Sequence, residues 1–168
     1  NTSATNSNAT AVGKGSAATD SNSTAIGTGA QATGSSSVAL GDSANASSSQ
    51  AIAIGKSTVA SQYDAVAIGN GSNATASYTL ATNGGTASGL MSISVGHSTE
   101  ATKENAVAVG YNSKANGESS VAISGATTAA AKSIAIGTEA QATKEGSIAQ
   151  GWKSLASSKG TVAIGGST

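Results

Sequence analysis

A fixed recurrence constrains this chain more than any other feature. The hexad Asn105-Ala106-Val107-Ala108-Val109-Gly110 has relatives along the whole sequence. Aligned on the terminal Gly, they give Gly13, Gly27, Gly41, Gly55, Gly69, Gly96, Gly110, Gly137, Gly151 and Gly165, a spacing of fourteen residues. Degenerate copies fill the two larger gaps, Leu80-Ala81-Thr82-Asn83 and Val121-Ala122-Ile123-Ser124, each followed by a step of thirteen. That makes twelve copies. A period this short belongs to repeat architectures, in which each unit is one supersecondary element that gains its stability by stacking on the next.

Before each Gly the residues alternate, as in Val38-Ala39-Leu40, Ile52-Ala53-Ile54, Val66-Ala67-Ile68 and Ile134-Ala135-Ile136. Period two with β-branched residues predicts a strand. The two large residues share one face and the middle residue, Ala in eleven copies and Ser94 in the other, takes the opposite one. A middle position that admits only Ala or Ser implies close approach by another surface, so this strand is constrained on both faces. We expect the Val/Ile pair to turn into the coil and the Ala row (Ala25, Ala39, Ala53, Ala67, Ala108, Ala122, Ala135 and Ala163) to form the seam between subunits.

After the Gly and about two variable residues comes a second, weaker strand, as in Ala30-Gln31-Ala32-Thr33 and Ser72-Asn73-Ala74-Thr75. Gln31, Asn45, Asn73, Glu100, Lys114 and Gln141 share one register, which predicts an outer strand with a solvated face. The fifth residue after the Gly is almost always Ala (Ala18, Ala32, Ala46, Ala60, Ala74, Ala101, Ala115, Ala129, Ala142, Ala156), suited to a narrow interior opposite larger Val and Ile. Turns fall at the Gly and at Asn8, Asn22, Asp64 or Asn105, residue types that tolerate positive φ. Strand, turn, strand and turn make one coil, and coils paired in parallel make an all-β, two-sided parallel solenoid. Twelve coils at about 4.8 Å each would extend on the order of 58 Å. Residues 1–168 are expected to form a single repeat domain.

Composition decides what holds such a coil together. Aromatics are 2% and hydrophobics 38% of 168 residues, with 22 Gly and no Phe, Pro or Cys. Such a chain risks remaining disordered, yet a disordered linker has no reason to keep β-branched residues in phase. Ordering a residue costs about 1–2 kcal/mol and burying a Val or Ile returns about 1.5–3, so one coil is not self-sufficient. A strand constrained on both faces needs a partner, and another copy of the chain is the economical one. An obligate homo-oligomer is expected. Lys and acidic residues balance at eight each and are spread singly, so no basic stripe exists for nucleic acid. No apolar run is long enough to span a bilayer.

The units Asn105-Ala106-Val107-Ala108-Val109-Gly110, Ser119-Ser120-Val121-Ala122-Ile123 and Lys132-Ser133-Ile134-Ala135-Ile136-Gly137 resemble the Asn-Ser-Val-Ala-Ile-Gly repeat of YadA-like heads in trimeric autotransporter adhesins. The resemblance covers nearly the whole chain. It implies a left-handed parallel β-roll, three chains wound into one head, and display outside the cell from a bacterial outer membrane on a coiled-coil stalk with a membrane anchor. Neither stalk nor anchor is recognised here, so the expectation is part of a head. The departures at Thr82-Asn83, Ser124 and Gln150 put the local geometry of those coils in question.

No catalytic, metal or cofactor constellation is expected. His97, the single His, follows Gly96 at a turn, and the acids are scattered. Asn83-Gly84-Gly85 and Ser124-Gly125 lack the Lys and helix of a phosphate loop and read as turn adjustments. The position after the Gly carries His97, Tyr111 and Trp152, which line one edge and form the candidate adhesive edge, since aromatics are enriched at interfaces. Tyr63 and Tyr78 lie near the other turn. The functional expectation is a non-catalytic rigid trimeric module that meets host extracellular matrix or cell-surface molecules. An ice-binding solenoid would need ordered Thr rows and an acyltransferase-like β-helix would need a longer coil and a catalytic His; a structural spacer is the remaining alternative.

Overall fold

The computed structural model describes residues 1–128 and 130–166. The chain divides into two compact units, Asn1–Gly84 and Gly85–Thr168. Among the described residues of the first unit, six three-residue strands (Thr10–Val12, Thr24–Ile26, Val38–Leu40, Ile52–Ile54, Val66–Ile68, Leu80–Thr82) pair in parallel in chain order. The two-residue strands Ser3–Ala4, Ala17–Ala18, Gln31–Ala32, Asn45–Ala46, Val59–Ala60 and Asn73–Ala74 pair likewise in a second parallel run. The second unit repeats this plan from Thr86–Ala87 and Ile93–Val95 to Leu155–Ala156 and Val162–Ile164. Each unit is thus an all-β parallel solenoid. Within each unit partners step by fourteen residues, except at Lys114↔Thr127 and Val121↔Ile134, where the step is thirteen.

The interior of a coil is built from the smallest side chains. In the first unit Ala25, Ala39, Ala53 and Ala67 of the long strands face Ala18, Ala32, Ala46, Ala60 and Ala74 of the short ones, all at 0% exposure. Ser23, Ser37, Thr58 and Ser72 complete the same layer. The largest fully buried side chains are Thr and Ser, so the gap admits little more than a methyl or a hydroxymethyl from each side. The expected meeting of large with small across the gap is therefore corrected: small meets small, and the Val/Ile pair stands outside. Sheets this close leave no volume for a branched side chain, and period-two alternation then sends both large residues to the outer face.

Buried hydroxyls need partners, and the coil supplies them locally for most, Ser92 Oγ being an exception. Ser37 Oγ donates to the Gly34 carbonyl at 2.6 Å, Ser120 Oγ to Gly117 O at 2.6 Å, and Thr58 Oγ1 to Gly55 O at 3.0 Å. Each closes its own turn, as Ser and Thr do where they compete with the ladder. Where Ser94 replaces the central Ala, its hydroxyl donates to Thr99 Oγ1 at 2.7 Å, which donates to Gly96 O at 2.7 Å. A Cβ at Gly85 would lie within 2.6 Å of that Thr99 oxygen.

The turns use positive φ at fixed registers. Asn8, Asn22, Asp64 and Asn105 have φ of 58, 58, 55 and 55°, and Gln50, Tyr78 and Lys132 share the conformation at equivalent positions. The repeat Gly is more demanding: Gly41 sits at φ 140°, and a Cβ there would lie 2.5 Å from the Gly55 carbonyl oxygen of the next coil. The two shortened turns solve a common problem in a common way. Gly84 N–H donates to Ser72 Oγ at 3.0 Å and Gly125 N–H to Ser113 Oγ at 2.9 Å, while the two hydroxyls donate to Ile68 O and Val109 O. Shortening also shifts by one which residue of the coil falls at each place: Thr128, fully buried, takes the interior place between its strand neighbours Ala115 and Ala142. Ala129, read from the sequence as that interior residue, lies outside the described residues.

Two expected outcomes follow from these turns. Gly41→Ala should destabilise the fold by about 2–5 kcal/mol through strain and overlap, whereas Gly71→Asn, with φ 68° and nothing within 4 Å of its Cβ, should change it little; thermal unfolding by circular dichroism reads both. Ser113→Ala should cost about 1–3 kcal/mol, because it leaves the Gly125 amide without its acceptor.

Candidate interaction surfaces

Two surfaces stand out once the interior is filled. The first is the outer face of the long-strand sheet in each unit. Val12, Ile26, Leu40 and Ile68 in the first unit, and Ile93 and Ile136 in the second, are exposed large hydrophobics, and Val38, Ile52, Val66, Val107, Val121 and Ile134 beside them are half-buried. These residues form two apolar columns with no Lys or Glu among them; Thr10 and Thr24 open the first, and Thr82 and Gln150 interrupt the second. A solvated sheet face would alternate with polar residues; this one is built to be covered.

The expected subunit seam is corrected by the same observation. Ala25, Ala39, Ala53, Ala67, Ala108, Ala122 and Ala135 have 0% exposure within one chain, and Ala163 is partly buried against the same core. A side chain enclosed by its own coil cannot touch a neighbouring copy. Both strand faces are constrained, as the composition of the central position implies, but the thin interior constrains the Ala and the outer surface carries the Val/Ile.

The second surface is the edge formed by the Gly turns of the second unit. His97 and Tyr111, one coil apart, stack with ring centroids 5.9 Å apart and planes 11° from parallel. Ser98 Oγ and His97 Nδ1 share a hydrogen bond at 2.9 Å, which helps to hold the imidazole. Trp152 is exposed on the same edge and belongs to a different cluster: Lys153 Nζ lies 4.7 Å from its ring centroid and 3.8 Å from Glu139 Oε2. The candidate residues thus form one stacked pair and one separate aromatic–cation group. Between the two groups lies an open recess of about 480 Å³ at Tyr111, Asn112, Ser124, Gly125, Thr138 and Glu139. Sequence reasoning passed over it by treating Ser124-Gly125 only as a turn adjustment; the thirteen-residue step was the available signal.

Elsewhere, Tyr63 and Tyr78 pack edge to face at 5.5 Å on the other turn of the first unit. Lys–Glu pairs bridge successive coils of the second unit at Lys114–Glu100 (3.1 Å) and Lys159–Glu145 (2.9 Å). The hydrogen bond and charge of Lys159 hold the Glu145 carboxyl below its ordinary value and raise the ammonium. Both groups are solvated, so the pair adds little to stability. Among the described residues, no three His, Asp or Glu side chains gather as metal ligands would, and no helix is long and apolar enough to cross a membrane.

The family model described as YadA head domain repeat (two copies) matches residues 4–30, 32–58, 60–82, 87–113, 101–123 and 142–168, well over half of the chain. The chain belongs to the YadA head repeat family. It is a YadA-like head domain of the kind found in trimeric autotransporter adhesins, a family of non-enzymatic, adhesin-like surface modules. No curated protein matches the chain. The matched segments include most of the apolar columns of this YadA-like head and the His97–Tyr111 pair, whereas residues 124–141, which contain Ile134 and Ile136 of the columns and Ser124, Gly125, Thr138 and Glu139 of the recess, fall outside them.

Ala108→Leu should destabilise the fold by about 1–3 kcal/mol by overfilling the coil, while Lys114→Leu on the solvated strand should shift it by less than about 1 kcal/mol. Thermal unfolding of both variants checks this, and equal stability for Ala108→Leu would contradict the thin interior.

Proposed function

We propose that copies of this chain associate through the apolar columns into a homotrimer. The resulting head, residues 1–168 acting as one domain, is a non-catalytic attachment module displayed at a bacterial outer membrane toward host matrix proteins or host cells. One observation carries the reading: the large aliphatic side chains of the long strands, such as Ile26, Leu40, Ile68 and Ile136, stand exposed on a regular sheet face. Obligate interfaces are more apolar than the surface around them, and a closed cyclic arrangement lets one face serve every copy.

In that trimer Gln150, exposed in the single chain, meets its own copies. An amide donates and accepts at once, so three Gln side chains satisfy one another and fix the register of the chains, as a single polar layer does in coiled coils. The polar outer strand stays in water and offers Gln31, Glu100, Lys114 and Gln141 at repeating spacing. Attachment by such a surface gains strength from repetition and from three copies held together.

Sedimentation equilibrium should give three times the chain mass, and Ile68→Asp with Ile136→Asp should yield monomeric or unfolded chains. A monomeric, folded wild-type chain would contradict the proposal. Binding of the purified trimer to a panel of matrix proteins and cultured host cells, with Trp152→Ser alongside, tests the attachment role; no binding to any member would sink it.

A further inference from the structure

The recess beside Tyr111 has a structural origin. In regular coils the residue after the repeat Gly does two things: its side chain stands on the edge, and its carbonyl accepts from the next coil. Asn112 N–H donates to His97 O at 3.1 Å, and Lys153 N–H donates to Thr138 O at 3.0 Å. In the shortened coil Gly125 keeps the rung, its carbonyl accepting from Glu139 N–H at 3.1 Å, but contributes no side chain. The column His97, Tyr111, Gly125, Thr138, Trp152 therefore lacks one member, and the gap is the recess.

Its walls suit one class of ligand. The volume of about 480 Å³ falls within the range of small-molecule sites, about 300–1,000 Å³. Tyr111 is 73% exposed. His97, from the preceding coil, covers one ring face, so the face toward the following coils is free and the ring is braced from behind. Around it stand the Asn112 amide, the Ser124 and Thr138 hydroxyls and the Glu139 carboxylate, a mixture of donors and acceptors. Lys153 balances the charge of Glu139 at 3.8 Å, so the recess has no excess charge to draw an ion. An aromatic plane beside polar groups of balanced charge matches a pyranose ring, which has an apolar C–H face and a rim of hydroxyls.

We infer that the Tyr111–Gly125–Glu139 recess binds a neutral sugar ring at the exposed end of a glycan. This names a receptor class for the attachment role above and rests on that reading only for its biological setting; sugar binding itself is a property of the recess.

Saturation-transfer NMR on the whole chain, with methyl β-galactoside, methyl β-glucoside and N-acetylglucosamine as probes, tests it. Transfer to ring C–H protons of at least one probe is expected. Tyr111→Ala and Gly125→Asn should each weaken that probe by roughly tenfold or more, and Tyr63→Ala should not. Gly125→Asn is the cleaner variant: Asn tolerates φ 73°, and the nearest atom to a Cβ there is Tyr111 O at 3.5 Å, so the fold survives while the recess fills. Absence of transfer from all three probes, an unchanged signal in Gly125→Asn, or displacement of the sugar by tetramethylammonium would each overturn the inference. Host-cell attachment that persists without sugar binding overturns this inference alone; sugar binding by a head that attaches to nothing overturns the attachment reading alone.

Discussion

Everything in this structure depends on how closely the two sheets of a coil approach. Among the described residues the gap holds Ala, Ser and Thr and nothing larger, and that limit sets the rest in turn. It fixes Ala or Ser at the centre of every long strand. It drives each Val or Ile to the outer face, because alternate residues have nowhere else to go. It also makes the single chain poor in buried apolar area, since a buried methyl(ene) returns only about 0.8 kcal/mol. A coil thus holds its shape through its backbone ladder and completes its hydrophobic burial only when something covers the outside.

The same tightness explains why irregularities are concentrated at turns. Stacked glycines such as Gly27 and Gly41 lie too close for a Cβ, so a coil cannot change there without moving its neighbour. Loss of one residue is instead absorbed beyond the repeat position, where Ser72 or Ser113 redirects its hydroxyl to the freed amide. In the second unit that adjustment removes a side chain from the edge and opens a polar recess beside Tyr111. A change in repeat length thus becomes a change in surface chemistry while the strand register is kept.

The sequence made the strands, the turns and the stacking legible because each is a local pattern. The β-branched alternation, the Gly at each strand end and the Asn or Asp at the opposite turn say where the chain extends and bends, whatever its surroundings. Which face of the strand looks inward was not legible in the same way. Ala108 and Val107 alternate identically in either orientation, and only the distance between sheets distinguishes them, a quantity that no single strand contains. The edge was half visible: the shared position of His97 and Tyr111 placed them in one column, but their stacking, the separate pairing of Trp152 with Lys153, and the role of Gly125 depend on the stacking of coils around a thirteen-residue step.

Orientation of the long strand is the claim on which the interior, the apolar columns and the association all stand. The chain has no Cys, so a single introduced thiol reports its own position. With Ala53→Cys and Ile54→Cys purified as assembled heads and treated with a short bismaleimide, the account predicts covalently linked chains from Ile54→Cys and none from Ala53→Cys. Linked chains from Ala53→Cys, with Ile54→Cys unreactive, would place the Ala row between subunits and contradict the account at its root.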